Sequence, residues 1–200
     1  VITNHIIPIF NLINDQMPLV RCTAVYVLMK LMKTSYSFFT SEQVYQLADQ
    51  IYKMFSDTHI VVVAAVKFFN QIGQSIKEAK VNPLALVIPQ IINSLLQLAL
   101  NNQGFNDASF CLTAASSLIQ AQKDPQFSIN LAKYLMTQGM STALFNSNDF
   151  LGYTFIILED CVQVAGDKML CEQELLNSLI ERVAPVPESE LEDKVPGIEH

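Results

Sequence analysis

The chain has 200 residues, half of them apolar and 16% charged, with a net charge of −7 and a pI near 4.8. Six Gly, eight Pro and no Asn-Gly or Asp-Gly pair exclude a turn-rich all-β chain. An acidic balance disfavours nucleic acid and anionic membranes; it suits basic partners, or simply keeps a protein in solution.

Apolar positions recur at helical spacing along almost the whole chain. They predict helices over Ile2–Asn14, Pro18–Thr34, Ser41–Phe55, Ile60–Ala79, Pro83–Asn101, Asn106–Gln122, Pro125–Leu144, Asp149–Ala165 and Leu170–Val183. Asn14-Asp15-Gln16 separates the first two, and Ser41 is the expected N-cap of the third. Ser56-Asp57-Thr58 precedes the fourth, and Pro83 and Pro125 fit first helical turns. Asn101–Gly104, Gly139 and Asn146–Asn148 mark further turns. The apolar stretch Leu84–Leu100 carries Pro89, Gln90, Asn93, Ser94 and Gln97, and no basic cluster flanks it. It predicts a helix buried between neighbours rather than a membrane span. From Pro185 to His200 the composition turns to Pro and acidic residues, as expected of a disordered tail.

Successive helix pairs begin near Ile2, Ser41, Pro83, Pro125 and Leu170. A period of about 40 to 45 residues is that of HEAT and armadillo repeats. The fold expected is all-α: a solenoid of about four HEAT hairpins and part of a fifth over residues 1–184, followed by the tail 185–200. The starts of the second helices share a pattern. Asp15 precedes Val20-Arg21 and Ala24, and Asp57 precedes Val62-Val63 and Ala65. Small residues Ala24, Ala64, Ala65, Ala114 and Ala115 would let the helices of a hairpin approach closely.

Cys22, Cys111, Cys161 and Cys171 form no C-x-x-C pair and sit in apolar helical contexts, which predicts buried free thiols and a reducing compartment. There is no N-x-S/T site and no signal-peptide pattern, and the opening Val1 predicts a piece of something longer. The chain has no Walker loop, no G-x-S-x-G and no H-E-x-x-H. His5, His59 and His200 are far apart, and the adjacent Glu159 and Asp160 diverge by about 100° on a helix, as on a solvated face. These observations predict no enzyme, no cofactor and no metal site. Few basic pairs, and no basic–aromatic interleave, predict no nucleic-acid partner. Tyr26, Phe38, Phe39, Tyr45, Tyr52, Phe55, Phe68 and Phe69 are core aromatics at helical spacing, or in part groove residues; Tyr26 with Lys30 one turn on is the groove candidate.

Ile6–Phe10, Asp15, Val20-Arg21, Thr23-Ala24 and Val27 line up with a repeat of the importin-β family, and Ala64–Ile76 and Phe105–Phe127 with further inner helices. Residues 1–165 thus resemble a middle segment of a divergent importin-β. The resemblance implies a nuclear transport receptor, in cytoplasm and nucleus, that holds basic adaptor or cargo segments on its concave face. It also implies Ran GTPase and Phe-Gly nucleoporins as partners of the full-length chain. Asp15 and Arg21 would form the family's inter-repeat ladder. The chain has no Trp; Tyr26 stands where one cargo-stacking Trp would be, Lys67 stands near the other, and the family's acidic loop is absent at Lys77–Asn82. The partner-binding candidates are Tyr26, Asp15, Asp57 and Asp107. The alternative is a HEAT scaffold or adaptor subunit in another assembly, without a transport role; a regulatory subunit whose catalytic part lies elsewhere is a further one.

Overall fold

The computed structural model describes residues 3–101, 105–137 and 148–183. All regular structure among them is helical: α1 Thr3–Leu12, α2 Pro18–Ser35, α3 Ser41–Tyr52, α4 His59–Lys77, α5 Ile88–Asn101, α6 Phe105–Gln122, α7 Pro125–Leu135, α8 Asn148–Ala165 and α9 Gln173–Val183. Short 3-10 turns follow α2, α3 and α8. The acidic segment 185–200, the expected turn at Gly139 and Asn146-Ser147 lie outside the described residues, and Asn148, expected in a turn, opens α8.

Each odd-numbered helix packs on the even-numbered helix after it: α1 on α2, α3 on α4, α5 on α6, α7 on α8. The even-numbered helices also pack on one another in series, α2 on α4, α4 on α6, α6 on α8. The result is the expected HEAT-type solenoid. Long-range side-chain hydrogen bonds carry its period: Tyr52 Oη meets Ser94 Oγ 42 residues on, and Lys77 Nζ donates to Gln120 43 residues on.

One apolar core runs through all the repeats. Phe68, Phe69, Leu28, Met32, Ile72 and Ile76, all on α2 and α4, are fully buried in it, each contributing about 1.5–3 kcal/mol of burial. Tyr52, Phe55, Phe69 and Phe68 form an edge-to-face chain, with centroids 5.4 to 5.6 Å apart. It ties α3 and its 3-10 extension to α4. The small residues Ala24, Ala64, Ala65, Ala114 and Ala115 are buried. A close approach falls between neighbouring repeats, where a Cβ on Gly73 would stand 2.9 Å from the Ser117 backbone carbonyl carbon and Cβ.

Several expectations need correction. Thr40, not Ser41, caps α3: its hydroxyl accepts the Gln43 N–H at 3.2 Å, and the Gln43 side chain accepts the Thr40 N–H at 2.9 Å. The fifth helix begins at Ile88, not Pro83. A helix running from Pro83 would hold Pro89 in its interior, where the ring removes a donor and clashes one turn back; beginning at Ile88 puts Pro89 in the first turn. The residues before it form turns pinned to the end of α6, with Asn82 Nδ2 donating to Ala121 O at 3.1 Å and Gln122 Nε2 to Ala85 O at 3.0 Å. Cys171 is exposed rather than buried, because Gly166–Cys171 forms a 3-10 turn and α9 starts after it. Among the described residues no helix is long and apolar enough to cross a membrane.

Two glycines give opposite predictions. Gly73→Ala adds about 0.5–1 kcal/mol of helix propensity but presses on backbone, and overpacking of that kind costs about 1–3 kcal/mol. Its thermal midpoint should fall. Gly152 has nothing within 4 Å of the place an added methyl would occupy, so Gly152→Ala should raise the midpoint. Thermal melts followed by circular dichroism compare the two directly.

Candidate partner-binding face

The face is built from the exposed register of the even helices. Residues three, four and seven apart share a helix face, and the solenoid period stacks these faces side by side. On α2 the register is Tyr26, Lys30, Lys33; on α4 it is Lys67, Asn70, Gln74, Lys77; on α6 it is Phe110, Thr113, Ser117, Gln120. Cross-repeat contacts follow it. Ser117 Oγ donates to Asn70 Oδ1 at 2.6 Å, and Lys77 Nζ donates to Gln120 Oε1 at 2.6 Å.

Tyr26 is half-buried, with Lys67 beside it one repeat on. The Lys67 ammonium lies 4.4 Å from the Phe110 ring centre and 6.0 Å from that of Tyr26. The aromatic faces that would stack on a cationic cargo side chain are thus taken by the chain's own cation.

Asp57 receives a bidentate bond from Arg21, Nε to Oδ2 at 2.8 Å and Nη2 to Oδ1 at 2.6 Å. Arg21 is thereby the bridge from the first repeat to the second. Its third arm, Nη1, reaches the carbonyls of Asp15 at 2.6 Å and Gln16 at 2.9 Å. Asp15 meets Arg21 through its backbone, while its carboxylate accepts the Met17 N–H at 2.8 Å. The structure therefore brings Arg21, Asp57 and Asp15 together and leaves Tyr26 apart from them. Asp107 lies in the first turn of α6, and its side chain is outside the described residues.

Sequence reasoning missed Asp160. Its expected solvated face is instead 3% exposed, because α8 packs on α6 there. Ser116 Oγ donates to Asp160 Oδ2 at 2.5 Å, and Gln120 Nε2 donates to Oδ1. With the Lys77 bond to Gln120, a polar relay spans α4, α6 and α8. The neighbouring Glu159 points out to solvent and accepts from Gln163 at 3.1 Å. The only sequence signal for the relay was polar residues recurring at the inner register.

Two of the buried thiols are held protonated. Burial pushes the Cys161 thiol up to about 12, with Asp160 adding to the shift. Burial likewise raises Cys22, against the pull of Lys67. Among the described residues no group of three His, Cys, Asp or Glu lies together as metal ligands would.

The Arg21 hydrogen bonds hold the Asp57 carboxyl below the usual carboxylate range. A depressed folded value means the pair's stabilisation is complete above the unfolded pKa of about 3.9 and fades as pH falls through the folded value. Asp57→Asn should therefore lower the thermal midpoint near neutral pH, and the gap to the parent should close in acid. Melts across an acid series check this; a constant gap would contradict it.

With the geometry in place, comparison with known proteins settles the family. No curated protein and no solved structure matches the chain. A family model, Cnd1, described as non-SMC mitotic condensation complex subunit 1, matches residues 1–142. This corrects the importin-β resemblance: the shared residues are those of HEAT repeats in general, and neither Ran nor Phe-Gly nucleoporins gain support. The HEAT-repeat chain belongs to the family of the non-SMC mitotic condensation complex subunit 1.

Proposed function

We propose that this chain is a non-catalytic, protein-binding scaffold segment of a mitotic condensation complex subunit, working in the nucleus and cytoplasm without a cofactor. The observation that carries this reading is the family match over residues 1–142. The fold supports it. Even helices in series present a continuous face of amide, hydroxyl and lysine side chains, and a solenoid held by nearest-neighbour contacts suits the task of spanning other subunits. The transport reading that the sequence invites asks for a cation-accepting groove, and Lys67 stands in it.

The test is purification of the tagged full-length protein that contains this chain from mitotic cells. It should co-purify with other subunits of the condensation complex, and its depletion should leave mitotic chromosomes poorly condensed. Recovery free of that complex, with tight binding of a Lys/Arg-rich adaptor peptide that Ran-GTP releases, would contradict the proposal.

A further inference from the structure

Among the described cations, Arg21, Lys53 and Lys133 pair with carboxylates. The first bridges repeats, and the other two lie on the odd-helix side, on α7 and just past α3. The lysines of the inner face have no carboxylate partner among the described residues. Lys30 and Lys33 are exposed on α2. Lys67 is held against rings, Lys77 donates to a neutral amide, and Lys123 Nζ donates to the Lys77 carbonyl at 2.8 Å. Within a chain of net charge −7, the described residues thus gather lysines without carboxylate partners on one side of the inner face.

Between the C-terminal ends of α2 and α4 lies an open polar cleft of about 460 Å³. Lys33, Thr34, Ser37, Gln71, Gln74 and Ser75 supply donors and acceptors along it, and Glu78 is its one carboxylate. Amides and hydroxyls suit the main chain of an extended peptide, and the flanking ammonium groups suit its acidic side chains. The exposed Val27 adds apolar surface on the face of α2 that carries Lys30 and Thr34.

We infer that the α2–α4 side of the inner face is a docking surface for an extended acidic segment of a partner protein. The inference deepens the scaffold reading by naming the partner's chemistry, and it rests on that reading only for this face being a binding face. Duplex nucleic acid fits less well: the patch is a few lysines with no free arginine, set in an acidic chain and interrupted by Glu78.

Fluorescence anisotropy of the full chain with a fluorescein-labelled Glu/Ser peptide, at low and physiological salt, tests it. Binding should weaken with salt and fall about ten-fold or more in the Lys33→Glu/Lys67→Glu double variant. It should survive Lys33→Arg/Lys67→Arg and be unchanged in Lys53→Glu, with helicity checked for each variant. Three results would overturn the inference: no binding by the folded chain, tighter binding of duplex DNA with the same lysine dependence, or binding that appears only after the chain's own 185–200 segment is removed. Loss of peptide binding alongside intact recovery of the condensation complex would remove this inference and leave the scaffold reading standing.

Discussion

The close approach of α4 to α6 at Gly73 and Ser117 is the constraint on which the rest of the structure depends. A HEAT hairpin cannot bury its apolar face alone. Here the missing surface is supplied by the neighbouring even helix, and the absent Cβ of Gly73 lets the two backbones come near enough for Phe68, Phe69, Ile72 and Ile76 to be enclosed. Ala64, Ala65, Ala114 and Ala115 on the same two helices are fully buried as well. Once the even helices are stacked this way, their remaining face is fixed as the inner face, and the side chains on it are set in register from repeat to repeat.

Polar contacts then specify that register. Apolar packing is tolerant of sliding, whereas a bidentate Arg21–Asp57 bond and the bonds of Ser116 and Gln120 to Asp160 are satisfied in one alignment only. Leaving the buried Asp160 carboxylate without its donors would cost about 1–3 kcal/mol or more, so the relay penalises misalignment more than it adds to stability. The same register places Lys67 between Tyr26 and Phe110 and so determines the sign of charge the inner face displays.

The helices are legible in the sequence because a 3.6-residue apolar period is a local property, and the repeat is legible because it recurs. What escapes depends on residues a full repeat away. Arg21 finds its carboxylate on Asp57 in the next hairpin, so its partner is invisible to local spacing, and Asp15 next door is the natural but incomplete guess. Asp160 looks solvated because nothing in its own helix shows that α6 covers it. The whole-chain charge suggests an acidic inner face and hides the clustering of Lys30, Lys33, Lys67 and Lys77 at one register. The importin-β resemblance misleads for a related reason: Asp15, Val20 and Arg21 report the packing that HEAT repeats share, not the assembly in which one array serves.

The claim that each repeat is held by its neighbours through the even helices is tested most directly by native-state hydrogen exchange resolved to single helices. Slowest exchange in α4 and α6, which have an even helix on both sides, with faster exchange in α2 and α8 and the fastest in α1 and α9, is the result predicted. Uniform protection along the chain, or α1 protected as strongly as α4, would contradict it.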